Sequence, residues 1–299
     1  MIKIDTSFDL DLPYQVKMSM RRASARLRSL GTRDFINPQL SAAAMHLVSA
    51  RSKYIRSALV FISASAIGKK PSDFIDLAAA IELLHTASLV HDDIIDRDAV
   101  RRGRPAVHMK YGIEAAILAG DALISKSILL SSKYGPAVID EISHAAMSMC
   151  AGEILDFQFQ RSRKVPKVSD YMNVATLKSA SLIGTAASVS AVCAKSPGLA
   201  SKLYEFGKYA GIAFQMRDDI LNFMGLSDSS RKSTGNDTAK FRPNIVQVML
   251  KADGGKDDAL RRAIGLNNSL IDTANMQLHG EAIAPKLSGY ADLIRIRYI

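Results

Sequence analysis

A chain of 299 residues can bury a sizeable core, either as one large domain or as two modest ones. Hydrophobic residues at 48% and charged residues at 23% lie inside the globular range and exclude a wholly disordered protein. A net charge of +10 favours anionic partners, but the basic residues are scattered and lack the aromatic interleaving of nucleic-acid binders, which sets nucleic acid aside.

The first twelve residues mix Lys3 with Asp5, Asp9 and Asp11 and lack the basic start and apolar run of a signal peptide. No later stretch offers the roughly 18 uninterrupted apolar residues of a membrane span, so a soluble protein is expected. The two cysteines, Cys150 and Cys193, stand far apart and suggest a reducing, cytoplasmic setting. Ala, Leu, Lys, Ser and Met dominate and period-2 runs are scarce, which predicts an all-α fold. Turn-forming residues at 68–72, 101–105, 164–166, 196–198, 225–237 and 253–255 read as connections between helices. None is long enough to be a linker, so a single domain over 1–299 is expected, with 225–237 as the best mobile loop.

Residues 73–96 carry the strongest pattern. Pro71-Ser72-Asp73 signals a helix start, and Ile81, Leu84, Ser88, Asp92 and Asp96 follow at helical spacing. Asp92 and Asp96 then project from one face, one turn apart, with Asp93 beside them. Three carboxylates this close repel one another unless a cation compensates, and hard oxygen ligands suit magnesium. Asp218, Asp219 and Asn222 repeat the spacing in a second helical segment. Arg101-Arg102-Gly103-Arg104-Pro105 follows the first cluster, while Arg231, Lys232 and Lys240 follow the second. Carboxylates alternating with phosphate-binding bases suggest a metal–diphosphate site. His85, two turns before Asp92, lies on the same stripe.

Leu89-Val90-His91-Asp92-Asp93-Ile94-Ile95-Asp96, followed by Arg101-Arg102-Gly103-Arg104-Pro105 and His108, resembles the first aspartate-rich motif of the trans-isoprenyl diphosphate synthase, or polyprenyl synthetase, family. The resemblance runs from about Ser52 to the end. It implies an all-α helical bundle around a central cavity, commonly homodimeric, with two aspartate-rich helices facing each other at the mouth. By position, Asp92, Asp96 and Asp218, with Asp93 beside them, would hold magnesium on an allylic diphosphate. Lys53, Arg56, His85 and Arg102 match positions that bind isopentenyl diphosphate. Arg101, Lys178, Gln215, Lys232 and Lys240 match those around the allylic diphosphate, and Ser179 stands where the family usually has Thr.

The implied activity is condensation of isopentenyl diphosphate with an allylic diphosphate by ionisation, condensation and elimination. Arg51-Ser52-Lys53-Tyr54-Ile55-Arg56-Ser57 departs from the family's Gly-Gly-Lys-Arg-Leu-Arg-Pro, and Asn222 replaces the last Asp of the second motif. Ala87 and Ser88 lie about 6 to 7.5 Å below Asp92, with Leu84 and Ile81 at about 12 and 16.5 Å. Short-product members usually carry a bulky aromatic at the upper level, so these small residues imply a product of geranylgeranyl length or longer. Basic surface and a greasy product suggest at most peripheral membrane contact. Two alternatives share the resemblance: a regulatory subunit of a heteromeric synthase, and a class I terpene cyclase. The cyclase fits less well because the chain has no Trp and 6% aromatic residues.

Overall fold

The computed structural model describes residues 12–50, 52, 54–226, 243–251 and 255–296. Lys53, Lys232 and Lys240, and most of the expected loop at 225–237, lie outside them. Helices account for nearly all regular structure, as composition predicts. They are α1 (Tyr14–Arg28), α2 (Thr32–Phe35), α3 (Pro38–Val48), α4 (Ile55–Ala66), α5 (Ile75–Ile95), α6 (Val107–Tyr111) and α7 (Ile113–Ser131). There follow α8 (Pro136–Ser162), α9 (Val168–Ala175), α10 (Ser181–Cys193), α11 (Pro197–Phe223), α12 (Ile245–Leu250), α13 (Lys256–Gln277) and α14 (Ala284–Asp292). Among the described residues the one sheet is a hairpin, Val100–Arg101 paired antiparallel with Arg104–Pro105.

Local chemistry sets several helix starts. Asn37 caps α3, its side-chain oxygen accepting the N–H groups of Gln39 at 2.8 Å and Leu40 at 3.1 Å, with Pro38 at the first helical position. Asn244 and Gln247 exchange side-chain to backbone bonds at the start of α12. Proline also opens α8 and α11. The connection expected at 196–198 is therefore shorter than its composition suggests, because Pro197 needs no N–H partner in a first turn.

Two helices are apolar almost all round, the pattern of a helix enclosed by others. α10 is buried from Ser181 through Ala191. α5 is long and apolar enough by composition to cross a membrane, yet 67% of that window is buried inside the bundle. It separates two hydrophobic clusters. Leu77, Ile81 and Leu84 pack into the larger one with α4, α8, α10, α11, α13 and α14. Leu83, Ala87 and Val90 turn to the smaller one, with α3 and α7. A core helix wrapped on both flanks holds the acidic end of the stripe in a fixed place.

Candidate active site at the mouth of the bundle

From Leu77 to Val90 of α5 only His85, Ser88 and Leu89 escape burial, and Asp92 continues their line. Helical spacing therefore leaves one accessible stripe on an otherwise enclosed helix. Glu153 and Asp156 of α8, residues 176–179, and Gln215 and Asp218 of α11 are likewise half-buried.

Residues 176–179 belong to a π-helical turn, Thr176–Ala180, that joins α9 to α10. Such turns displace one residue from the helical register and are frequent at functional sites. Here the turn carries Lys178 and Ser179 outward. Neighbouring glycines admit it: a Cβ at Gly152 of α8 would collide with the Lys178 backbone, and one at Gly211 of α11 would stand 2.7 Å from Ala180 Cα.

Lys178 is the electrostatic centre. Its ammonium pairs with Glu153 Oε2 at 2.5 Å and donates to Asp156 Oδ2 at 2.7 Å. Burial alone would pull its pKa down, but Asp92, Asp156 and Glu153 together hold it above its ordinary value. Burial raises the Asp92 carboxyl well above the carboxylate range; Glu153 and Asp96 push it further, while Lys178 and Arg101 oppose. The spacing of Gly152-Glu153 and Asp156 is legible in the sequence, but nothing in it announces a lysine 22 residues away as their partner. Both acids were missed for that reason.

The adjacent Asp93 is fully buried and does not share the Asp92 stripe. Arg101 Nε donates to its Oδ1 at 2.6 Å, and Arg101 also reaches Asp98 at 3.2 Å. Burial lifts the Asp93 carboxyl to about 6 against the pull of Arg101. Arg101, read from sequence as an allylic-diphosphate residue, thus spends its fork on two carboxylates, Asp93 of α5 and Asp98 just before the hairpin. Asp96 is the C-cap of α5, and its N–H bonds to Asp92 O at 2.8 Å.

In the second motif both aspartates are half-buried. Asp219 accepts the Tyr171 hydroxyl at 2.8 Å, Gln215 Nε2 at 3.1 Å and the Ile245 N–H at 3.3 Å. Burial raises it to about 6 despite these bonds. Ser179 donates to Gln215 Oε1 at 2.8 Å, so two residues predicted for the same diphosphate do meet. Asp218 remains half-buried on the accessible side.

A third group forms beside α5. Arg56, at the start of α4, lies in the fields of Glu82, Tyr290 and Asp218, which offset the lowering by burial. Arg102 Nη1 donates to Leu47 O at 3.1 Å and is likewise steadied by Glu82. Burial, then Arg56, Arg102 and Arg101, push His85 well below its ordinary value, which leaves a neutral imidazole among arginines. Arg56, His85 and Arg102, predicted from separate motifs, are therefore one cluster. Sequence reading missed its counter-charge, Glu82, and the Ser57 N–H and hydroxyl that donate to Glu82 Oε1 at 3.0 and 2.9 Å.

The donor set around Asp92 is oxygen only, which suits a hard divalent cation. Among the described residues no three His, Cys, Asp or Glu side chains form a closed metal cage. The fit is to a cation shared with a ligand's phosphate oxygens, which is how magnesium commonly binds.

The family model for polyprenyl synthetase matches residues 37–277. The short chain isoprenyl diphosphate synthase of Methanothermobacter thermautotrophicus is 34% identical over 84% of this chain and 77% of its own. The geranylfarnesyl diphosphate synthase of Aeropyrum pernix is 37% identical over 73% of this chain and 72% of its own. Among solved structures, the geranylgeranyl pyrophosphate synthetase of Geoglobus acetivorans superposes with a TM-score of 0.80 at 26% identity, covering 94% of this chain and 97% of its own. With aspartate motifs on α5 and α11, this chain belongs to the polyprenyl synthetase family.

Proposed function

We propose that the chain lengthens an allylic diphosphate by condensing it with isopentenyl diphosphate, as a trans-prenyl transferase. One observation carries the assignment of roles: in each aspartate pair the second carboxylate is taken up by protein donors, Asp93 by Arg101 and Asp219 by Tyr171, Gln215 and the Ile245 N–H. Asp92, Asp96 and Asp218 would hold magnesium, whose charge stabilises the departing diphosphate. Lys178 supplies a second positive charge where the leaving group develops its own, and preorganised electrostatics of this kind dominate such reactions. Ser179 and Gln215, bonded to each other, flank the reacting carbons. Arg56, neutral His85 and Arg102 receive isopentenyl diphosphate beside them, with Lys53 expected to join them. Lys232 and Lys240 keep their expected allylic role. No side-chain nucleophile is required.

Product length follows from the floor below Asp92. The structure separates two residues that the sequence treats alike. Ala87 is fully buried against the α3–α7 cluster, whereas Ser88 is half-buried on the accessible stripe. Ser88 therefore forms the upper level of the floor, and Leu84 and Ile81, which pack into the larger cluster, are the deeper levels. Small Ser88 favours products of geranylgeranyl length or longer.

The oligomer proposed is a homodimer through α7 and α8. Exposed Ile117, Leu118 and Leu129 on α7, and Met147 and Ile154 on α8, make an apolar surface that a second copy would cover. Light scattering at twice the chain mass would support it, and a monomer at micromolar concentration would refute it. Single-domain organisation, a cytoplasmic setting and at most peripheral membrane contact complete the reading.

The deciding experiment incubates the purified chain with magnesium, labelled isopentenyl diphosphate and farnesyl diphosphate, beside an Asp92→Ala control. Chain growth that requires magnesium and Asp92 is the expected result. No growth with any allylic primer would reject the reading.

A further inference from the structure

The C-terminal helix contributes a polar group to the heart of the bundle. Tyr290 of α14 is 1% exposed, and its hydroxyl has no hydrogen-bond partner among the described residues. Buried hydroxyls nearly always find partners, so an orphan needs a reason. α14 packs on α4, and the Tyr290 oxygen lies in the fields of the Arg56 guanidinium and the Glu82 carboxylate. Arg56 Nε is also buried without a partner. Glu82 is 3% exposed and is gripped through Oε1 by Ser57.

Two unsatisfied donors, Arg56 Nε and the Tyr290 hydroxyl, therefore lie within electrostatic reach of one anchored carboxylate. Glu82 is the counter-charge of both Arg56 and Arg102. When a diphosphate draws the Arg56 guanidinium away, Glu82 loses part of that compensation while still buried, which is costly. A phenol donor next to it restores the balance at that moment.

We propose that Tyr290 is a positioning residue for isopentenyl diphosphate: its hydroxyl donates to Glu82 when Arg56 turns to the diphosphate, coupling the C-terminal helix to substrate binding. This inference rests on the proposed prenyl transfer and on Arg56 serving isopentenyl diphosphate. The role acts through Glu82 and Arg56, so it shows in one substrate's affinity and not in the chemical step.

The test is Tyr290→Phe in the full chain, which keeps the ring and its packing. The variant is expected to raise KM for isopentenyl diphosphate about tenfold, the worth of one hydrogen bond to a charged group. kcat and the allylic KM stay at the parent values. The melting temperature without ligand is unchanged or higher, because the hydroxyl removed had no partner. In a Glu82→Gln background the Tyr290→Phe effect on KM shrinks, since the charge it serves is gone. An unchanged KM for isopentenyl diphosphate overturns the proposal. So does a fall in melting temperature with both substrates' KM values moving together, the mark of a packing role. If the parent chain shows no elongation, the functional reading fails separately. Calorimetric binding of isopentenyl diphosphate to the parent and Tyr290→Phe chains then still decides the inference.

Discussion

The two acidic motifs look alike in sequence and are built differently. In both, the second aspartate of an adjacent pair is held by protein donors, but Asp93 is fully buried whereas Asp219 is half-buried like Asp218. Asp93 is anchored by charge, through Arg101, which Asp98 shares. Asp219 is anchored by neutral donors: a tyrosine hydroxyl, a glutamine amide and a backbone N–H. A doubled aspartate on a helix spans about 100° of its circumference. One carboxylate can face a site while its neighbour fixes the helix that carries it. The lesson is that the second aspartate is a fastening in each motif, by an ion pair in one and by a polar network in the other.

The sharpest break of this comparison is Asp92→Ala against Asp93→Ala. Losing Asp92 removes a site carboxylate from a group of mutually repelling acids, so kcat/KM falls about a thousandfold while the melting temperature holds or rises. Losing Asp93 leaves Arg101 buried with one partner fewer, and breaking such a pair costs about 3–5 kcal/mol. Urea unfolding beside steady-state kinetics separates the two. If Asp93→Ala unfolds like the parent and is merely inactive, the fastening role is wrong.

At the second motif the same experiment should give a smaller effect. Asp219→Asn keeps the shape and can still accept one hydrogen bond, so the loss is about 1 kcal/mol. A loss as large as that of Asp93→Ala would erase the distinction between charge and neutral fastening.

Neighbouring residues divide again at Ala87 and Ser88. Ala87→Phe must push α7 or α3 aside, and overpacking of this kind costs about 1–3 kcal/mol. Ser88→Phe extends into the accessible stripe, keeps stability and shortens the longest product by at least one isoprene unit. Chromatography of the products beside a thermal melt tests both. Shortening by Ala87→Phe without destabilisation would return the floor to both residues.

These divisions mark where the sequence stops being informative. Helix content and the accessible line from Ser88 to Asp92 were legible because helical periodicity encodes them, and the grouping of Arg56, His85 and Arg102 was legible because their positions match those of the family's diphosphate site. Which of two adjacent aspartates is fastened to Arg101 or Tyr171 was not legible, since only the packed fold brings those partners to them. The π turn was equally hidden. Gly152 and Gly211 permit it, but 59 residues separate them, and neither looks unusual alone. Glu82 and Tyr290 read as an ordinary helix acid and an ordinary core aromatic until α4 and α14 stand together.

The smallest effect concerns what holds the first motif's fastening in place. Arg101 sits in the 100–105 hairpin, which is tied to the end of α3 by Arg102 to Leu47 O, Arg104 to His46 O at 3.2 Å, and His46 to Pro105 O at 2.8 Å. In the last contact the carbonyl accepts, so His46 Nε2 carries the proton. Burial lowers the His46 pKa from its ordinary 6.5, helped by Lys110 and Arg104 and opposed by the Pro105 bond. The neutral ring is thus favoured in the fold. Its stabilising contribution is complete above pH 6.5 and is lost as the pH falls through 6.5 towards the folded value, because the unfolded chain takes the proton first. The parent should therefore lose more stability than His46→Gln when the pH is lowered from 7.5 to 5.5, by a fraction of the Asp93→Ala effect. Among the described residues no histidine bonds to the second motif, so adding Asp219→Asn should leave that pH difference unchanged. Equal pH dependence in parent and His46→Gln would remove His46 from the fastening and leave the two arginines to hold the hairpin.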